Sequence, residues 1–301
     1  MAWYNFWRKP KPKPVPVPVP TPTPVPVPVP VPPSGTIPTK IYGVATETFA
    51  EVAKFNALAG KPVNIYSTYR SFYWDKSFPT DEANKVAASG AVYMVTWEPW
   101  EPNGNPSQPT YALRTIIAGA HDKIIRDWAT QIKAWNKPLL LRFAHEMNGD
   151  WYPWGKTNGN KSAEYGLAWN HVRAIFDSVG VTNVTWAWCP NVDFDTSIYY
   201  PGTSTVDMVA VDGYNWDTSS PEQVFGPTLD VLASYKKPIF IGETGCPEYS
   251  GKAKWITDFF AMMKKRGLVG FVWFEYNKEQ NWRIDSSTAA TNAFRTGITS
   301  F

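Results

Sequence analysis

The sequence predicts an α/β protein, a single (β/α)8 (TIM) barrel preceded by a proline-rich linker. Eight short apolar runs alternate with longer amphipathic stretches between residues 36 and 301, which matches the length and rhythm of that fold. No glycine-rich phosphate loop of the form GxGxxG or GxxxxGK[ST] follows any apolar run, which disfavours a doubly wound open sheet. Polar residues collect at the ends of these runs, and in a barrel the carboxyl ends of the strands form the functional face.

The first 35 residues are expected to lie outside the barrel. Residues 1–13, MAWYNFWRKPKPK, form a short aromatic and basic tail, and residues 14–35 form a Pro/Val/Thr-rich linker. Proline has no amide donor, so this linker is predicted to adopt polyproline II, with a rise of about 3.1 Å per residue. A spacer is the simplest interpretation. A ligand for a proline-recognising domain is the alternative, and the tail could attach the protein to a partner.

Charge and composition exclude several classes of function. The formal net charge is +3, and four basic residues in the first 13 positions contribute +4, so the remaining chain carries −1. That balance offers no electrostatic footprint for nucleic acid. No apolar run reaches the roughly 18 residues of a transmembrane helix. The tail lacks the apolar region of a secretory signal, so export by that route is not supported.

The strand-like runs are bounded by turn residues and begin at about Ile41, Val63, Val92, Leu139, Val184, Met208, Ile239 and Leu268. Helix-like stretches lie between them at residues 46–58, 122–135, 163–179, 221–234, 252–265 and 287–299. Ser162 is a candidate N-cap, and Gly180 and Gly267 are candidate helix ends. The two cysteines, Cys189 and Cys246, permit either a disulfide or two thiols, and we favour free thiols.

Two carboxylates follow strongly apolar strands, Glu146 in FAHEMNG after the fourth strand and Glu243 in FIGETG after the seventh. Structural ion pairing would account for either residue alone. Strands four and seven lie nearly opposite each other in an eight-stranded barrel, so both side chains can approach one cleft. Glycoside hydrolysis uses such a pair, separated by about 5–5.5 Å in retaining enzymes and about 6.5–9.5 Å in inverting ones.

Other catalytic chemistries find less support in the sequence. The His145-Glu146 pair would begin a zinc-binding HExxH motif, but position 149 is glycine. His121 and His171 are the remaining histidines, and both occur in amphipathic stretches, so neither a catalytic metal nor a cofactor is expected. A GxSxG nucleophile elbow is also absent from the sequence.

The segment RFAHEMNGDWYPWG closely resembles the acid/base segment of glycoside hydrolase family 26. This family comprises retaining (β/α)8 enzymes of clan A and includes β-mannanases and mixed-linkage β-glucanases. FIGETG resembles the family's nucleophile segment on the seventh strand. The resemblance implies that Glu146 is the general acid/base and Glu243 the nucleophile, with a polysaccharide or oligosaccharide substrate. We also expect a monomer.

The resemblance also implies substrate-binding roles for further residues. Arg142 corresponds to an inward-facing arginine, and His145 is expected to reach the sugar beside the scissile bond. Trp151 resembles an aromatic residue on the leaving-group side, Tyr214 resembles a tyrosine that bonds the nucleophile, and Trp273 resembles a platform beneath the sugar. Trp154 is better explained by packing beneath the loop.

The third strand bears on the choice of substrate. Trp97, Glu98 and Trp100 in TWEPWEP are expected to contact substrate, although a salt bridge is the alternative for Glu98. Mannanases of the family usually place histidine after the strand-three tryptophan, so this segment resembles the glucanase branch more closely. The 16 tryptophans of the chain are interpreted either as the lining of a sugar-binding cleft or as a Trp-rich core.

Together these features predict a retaining endo-β-glycanase that hydrolyses β-glucan- or β-mannan-type polysaccharide outside the cell or at a cell envelope. A hydrolase of an unusual microbial exopolysaccharide or cell-envelope glycan is one alternative. A carbohydrate-binding barrel without catalysis is the other.

Overall fold

The computed structural model of the protein describes residues 37–192 and 195–301. The predicted tail (1–13) and proline-rich linker (14–35) lie outside the described residues. Eight parallel strands form a closed barrel in the order of the chain, which confirms the predicted fold. The strands are β1 (Ile41–Ala45), β2 (Ile65–Ser71), β3 (Val92–Glu98), β4 (Leu139–Phe143), β5 (Val184–Trp188), β6 (Met208–Tyr214), β7 (Ile239–Gly245) and β8 (Gly270–Phe274).

The helices surround this barrel, and all six predicted helical stretches are present. They are α1 (Val52–Ala59), α4 (Asp122–Trp135), α5 (Ser162–Val179), α6 (Pro221–Leu232), α7 (Lys252–Lys265) and α8 (Thr288–Ser300). Two further helices, α2 (Thr80–Ala88) and α3 (Leu113–Ile117), were not predicted, because α2 buries only two side chains and α3 has five residues. Between β5 and β6, the described residues form a short 3-10 helix, Ser197–Tyr199, and no α-helix.

Strand side chains alternate between two apolar layers. One layer fills the barrel interior and includes Ile41, Ile65, Met94 and Leu140. A larger layer lies between the barrel and its helices and holds most of the buried tryptophans: Trp97, Trp128, Trp169, Trp186, Trp188, Trp255 and Trp273. The abundance of tryptophan is therefore explained mainly by the core.

Both cysteines are buried free thiols, as predicted. Cys189 lies in the barrel-interior layer, whereas Cys246 lies in the layer beneath the helices. None of the helices in residues 37–192 and 195–301 has an apolar stretch of the length that crossing a membrane requires.

Two helical glycines provide a matched test of this packing. An alanine Cβ at Gly166 in α5 would make only ordinary contacts, the nearest at 3.6 Å from Cα of Pro201. At Gly297 in α8 the same atom would overlap the ring of Phe260. That ring is held between Phe259, Phe271 and Phe294.

Gly166→Ala is expected to raise the free energy of unfolding by about 0.5–1 kcal/mol, because alanine is the better helix former. Gly297→Ala is expected to lower it by about 1–3 kcal/mol, because overpacking outweighs the same gain in propensity. Denaturant unfolding of both variants measures the difference. Equal stability of the two variants would contradict the close contact between α7 and α8.

Candidate active site

A cleft of about 340 Å³ opens at the carboxyl ends of the strands. Six residues expected from the sequence lie in its wall: Glu98, Trp100, Glu146, Trp151, Tyr214 and Glu243. The remaining lining residues are mostly aromatic and come from strands β2 and β8 and from the loops after β4, β6 and β8, with Pro102 and Gly104 after β3. They are Tyr69, Tyr152, Trp216, Phe274, Tyr276, Lys278, Glu279 and Trp282.

The chain bends sharply where β4 ends, and this bend aims Glu146 into the cleft. Ala144 and Glu146 both adopt left-handed backbone conformations, with φ of 47° and 52°. Such conformations are unfavourable for residues other than glycine and persist only where the surroundings hold them. Here the backbone N–H of Glu146 donates to the carbonyl oxygen of Cys189 at 2.8 Å. The strain is therefore maintained by contact with the end of β5.

Each carboxylate oxygen of Glu146 accepts one hydrogen bond. Trp151 Nε1 donates to Oε2 at 2.7 Å, and Asn191 Nδ2 donates to Oε1 at 2.6 Å. Burial, and next the negative charge of Glu243, raise the pKa of Glu146 to about 7, although both donors act in the opposite direction. Glu146 can therefore exchange a proton near neutral pH.

Asn191 is a site residue that sequence reasoning missed, since it belongs to no motif in the loop after β5. Its backbone N–H donates to Oδ1 of Asn148 at 2.8 Å, and Asn148 Nδ2 donates to its carbonyl oxygen at 2.8 Å. Asn148 follows Glu146 in HEMNG, so this paired contact ties the loop to the acid/base segment.

Gly149 leaves the space that Trp151 needs. A Cβ at this position would overlap the six-membered ring of the Trp151 indole. The same glycine, which stands where an HExxH motif would have its second histidine, thus allows Trp151 to reach Glu146.

Glu243 lies at the end of β7 among donors rather than acceptors. Arg142 donates to its Oε1, and the hydroxyl of Tyr214 donates to Oε2 at 2.7 Å. The Nε2 atom of His145 lies 3.8 Å from Oε1. Burial and the charge of Arg142 lower the pKa of His145, so its imidazole is neutral. Arg142 and Tyr214 thus fix the position and orientation of the Glu243 side chain.

Arg142 is completely buried beneath this carboxylate. Its Nη1 atom donates to Asp212 Oδ2 at 2.5 Å, and its Nε and Nη2 atoms donate to Thr96 Oγ1 at 2.9 and 2.6 Å. Asp212, on β6, therefore belongs to the site.

Glycine at position 242 is required by the same network. The register of β7 shifts here against both β6 and β8. A Cβ on Gly242 would lie 2.5 Å from Asp212 Oδ1, 2.9 Å from Cys189 Sγ and 3.1 Å from an Arg142 nitrogen. The glycine of FIGETG thus allows the strand to approach the buried ion pair.

The described residues include one group with metal-ligating potential, formed by His145, Asp212 and Glu243, whose ligand atoms lie within 4.8 Å of one another. Arg142 bonds both carboxylates of this group. Its guanidinium already supplies the positive charge that a metal ion would bring, so the arrangement does not fit a metal.

The prediction that Trp97 and Trp273 contact the substrate is wrong. Trp97 faces α4 and stacks on Trp128 at 4.6 Å, and Trp273 faces α7 and α8, against Trp255 and Phe294. Side chains alternate along a strand, so the next residues, Glu98 and Phe274, face the cleft instead.

The side chains of His145 and Trp154 lie behind the residues that line the cleft. His145 is not in the cleft wall; its ring lies behind Tyr152, with centroids 4.9 Å apart. Trp154 is fully buried, stacks on Tyr152 at 4.4 Å and donates to the His145 carbonyl oxygen at 2.6 Å. Trp154 thus packs beneath the loop, as its sequence interpretation favoured.

Glu98 is buried in the cleft wall with 6 % of its surface exposed. Trp100 Nε1 donates to its Oε2 at 3.3 Å, and no base among the described residues forms a salt bridge with it. Burial raises the pKa of Glu98 to about 8, so the side chain is largely protonated at neutral pH and can donate a hydrogen bond.

Comparisons with known proteins agree with this geometry. The sequence profile described as Glycosyl hydrolase family 26 matches residues 94–293. Endoglucanase H of Acetivibrio thermocellus is 36 % identical over 266 residues, which cover 82 % of this chain and 29 % of that enzyme. A mannan endo-1,4-β-mannosidase of Bacillus subtilis strain 168 is 28 % identical over 284 residues, covering 83 % and 75 % of the two chains.

Among solved structures, a β-mannanase of Bacteroides ovatus from the same family superposes with a TM-score of 0.69. The match covers 87 % of this chain and 86 % of that one at 18 % identity, so it supports the fold alone. This chain spans under a third of endoglucanase H, and the relationship to that enzyme concerns the shared domain. The profile match, which covers about two thirds of the chain and includes both carboxylate segments, shows that the chain belongs to glycosyl hydrolase family 26.

Proposed function

We propose that this protein is a retaining endo-β-glycanase in which Glu146 is the general acid/base and Glu243 the nucleophile. The observation that carries the proposal is that two carboxylates share one cleft in opposite electrostatic surroundings. Glu146 has a raised pKa, whereas Glu243 is bonded by a buried arginine and a tyrosine. A carboxyl group that titrates near neutral pH suits the acid/base role, and one oriented by an arginine and a tyrosine suits the nucleophile.

In the first step, a carboxylate oxygen of Glu243 attacks the anomeric carbon while Glu146 gives its proton to the departing glycosidic oxygen. The C–O bond to the leaving sugar breaks, and a glycosyl ester of Glu243 forms. Arg142 and Tyr214 fix the orientation of the attacking carboxylate.

In the second step, the ionised Glu146 removes a proton from water, which attacks the anomeric carbon and releases Glu243. Two displacements on opposite faces retain the anomeric configuration. The donors Trp151 and Asn191 stabilise ionised Glu146 and so support its function as a base.

The remaining residues predicted to bind substrate have different roles, according to their position in the site. We assign substrate contact to residues in the cleft wall, namely Glu98, Trp100, Trp151 and Tyr214. Arg142 and His145 act on Glu243 from beneath it.

A β-glucan chain is the proposed substrate, with β-mannan second. Of the two enzymes compared, endoglucanase H is the more similar, at 36 % identity over 266 residues against 28 % over 284 residues for the mannosidase of Bacillus subtilis strain 168. Glu98 also stands where mannanases of the family usually have histidine. A protonated Glu98 can donate to a sugar hydroxyl in the cleft.

Glu146→Ala and Glu243→Ala are each expected to lower the rate of polysaccharide hydrolysis by several orders of magnitude, because each removes one half of the double displacement. Reducing-sugar release measures the loss, and circular dichroism checks the fold. Glu275→Gln is the matched control. Its carboxylate also follows a barrel strand but accepts from the backbone N–H of Ile284 at 2.9 Å outside the cleft wall.

The same assay on β-glucan, β-mannan, xylan and microbial exopolysaccharides tests the substrate. Hydrolysis of β-glucan above the others is expected. Binding without release would indicate a carbohydrate-binding barrel, and release from an exopolysaccharide alone would indicate the unusual-glycan alternative. Near-native turnover by either Ala variant would overturn the catalytic assignment.

The pH profile should report the proton on Glu146. The raised pKa keeps this carboxyl protonated below about 7, so the acid function is present there and is lost as the pH rises through about 7. We expect kcat/KM to fall on this alkaline side. A substrate with an activated aryl leaving group needs little protonation, and its kcat/KM should fall much less.

Glu98 also has a raised pKa, of about 8, and provides the control for this prediction. Glu98→Gln should keep the alkaline decline, because Glu146 remains. Loss of the decline in this variant would assign it to Glu98 instead.

We also propose that residues 36–301 carry the catalytic function in a monomer, while residues 1–13 and 14–35 serve as an attachment element and a spacer. The described residues already complete the barrel and cleft. Deletion of residues 1–33 is therefore expected to leave kcat and KM unchanged on a soluble glucan. A loss of hydrolysis would contradict this division, and size-exclusion chromatography tests the monomer.

A further inference from the structure

We propose that Tyr73 and Trp74 form a second contact for the glycan chain, outside the cleft and in line with it. The inference rests on the proposed function, since the occupant is the polysaccharide held between Glu146 and Glu243. The pair follows β2 and will be called the β2 platform.

Exposure is the first observation. Trp74 has 63 % of its surface exposed and Tyr73 has 43 %, the largest exposed fractions of any aromatic side chains among the described residues. Most tryptophans of this chain are buried, so an indole in water is exceptional here. The exposed ring contributes little to the stability of the barrel.

Rigidity is the second observation, because a tight turn fixes the backbone that carries both rings. The backbone N–H groups of Tyr73 and Trp74 donate to Ser71 Oγ at 3.1 and 3.0 Å. The N–H of Ser71 donates to Asp75 Oδ2 at 2.8 Å, and Trp128 Nε1 donates to the Asp75 carbonyl oxygen at 2.9 Å.

Neighbouring residues anchor the turn further. Phe72 is buried against Trp97 at 4.6 Å, and its N–H donates to the carbonyl oxygen of Glu98 at 2.9 Å. Lys76 Nζ donates to the Phe72 carbonyl oxygen at 2.7 Å and lies 5.4 Å from the centre of the Tyr73 ring. Binding at residues whose backbone is already fixed loses less conformational entropy, which favours a ligand site.

Position is the third observation. The platform begins at the carboxyl end of β2, on the rim where the cleft opens, and is tied to Glu98 in the cleft wall. Trp216, 40 % exposed, lines the cleft after β6. Strands β2 and β6 are four apart in the closed order of eight and therefore lie opposite each other. A linear chain that crosses the cleft from the β6 side leaves it at the β2 platform.

The size of the platform indicates the class of ligand. Two adjacent rings provide far less area than the roughly 800 Å² per partner of a specific protein interface. A flat indole instead matches the apolar face of one pyranose ring, as aromatic side chains do in sugar sites. The occupant is thus a sugar unit of the same β-glycan, beyond those held in the cleft.

Trp74→Ala is the test, with an insoluble or long-chain β-glucan and a short aryl β-oligoglucoside as substrates. The expected result is a KM about five- to tenfold higher on the polymer, the effect of losing one stacking contact, with kcat/KM unchanged on the short substrate. Trp74→Phe should restore most of the polymer affinity. Val231→Ala, an exposed apolar residue at the end of α6, is the control.

Retardation in gels that contain the polymer gives a second readout, independent of hydrolysis, and can be repeated in the Glu146→Ala background. Equal polymer KM and equal retardation of Trp74→Ala and the unaltered protein would overturn the β2 platform. Failure of the unaltered protein to hydrolyse either substrate would contradict the proposed function instead. The retardation of Trp74→Ala relative to the unaltered protein would still decide the platform.

Discussion

The buried guanidinium of Arg142 is the interaction on which the rest of the site depends. It is fully enclosed and bonds Glu243, Asp212 and Thr96 from below the cleft. Removing one member of a buried ion pair costs about 3–5 kcal/mol, because the remaining charge stays desolvated. The carboxyl group that attacks the sugar is therefore oriented by the same guanidinium that forms the buried ion pair with Asp212.

This hydrogen-bond network constrains the positions of residues on three strands. Thr96 on β3 must accept from Arg142, Asp212 on β6 must lie within reach of the guanidinium, and β7 must come close enough for Glu243 to be reached. Gly242 and the shift in the register of β7 meet the last demand. Glu146, in contrast, is positioned from the opposite side by strained backbone and by donors from two loops. The two carboxylates thus obtain different chemistry because different parts of the barrel hold them.

The aromatic residues form two groups that differ in their position relative to the barrel. Strand residues that point outward, such as Trp97 and Trp273, stabilise the layer between barrel and helices. Residues at strand ends and in the following loops, such as Tyr69, Tyr152 and Trp216, form the cleft wall. Tryptophan is therefore used for two purposes in this chain, packing between the barrel and its helices and lining the cleft.

The sequence by itself determined the eight strands, six of the helices and the two carboxylates, because apolar periodicity and the FAHEMNG and FIGETG segments are local signals. It also indicated Arg142 and Tyr214, through their resemblance to a known family. Tertiary structure decided what depends on distant segments: the contacts of Asn191 and Asp212, the outward direction of Trp97 and Trp273, and the burial of Glu98. The direction in which a side chain points and the pKa of a buried group depend on strands that barrel closure brings together. No local sequence pattern encodes either of them.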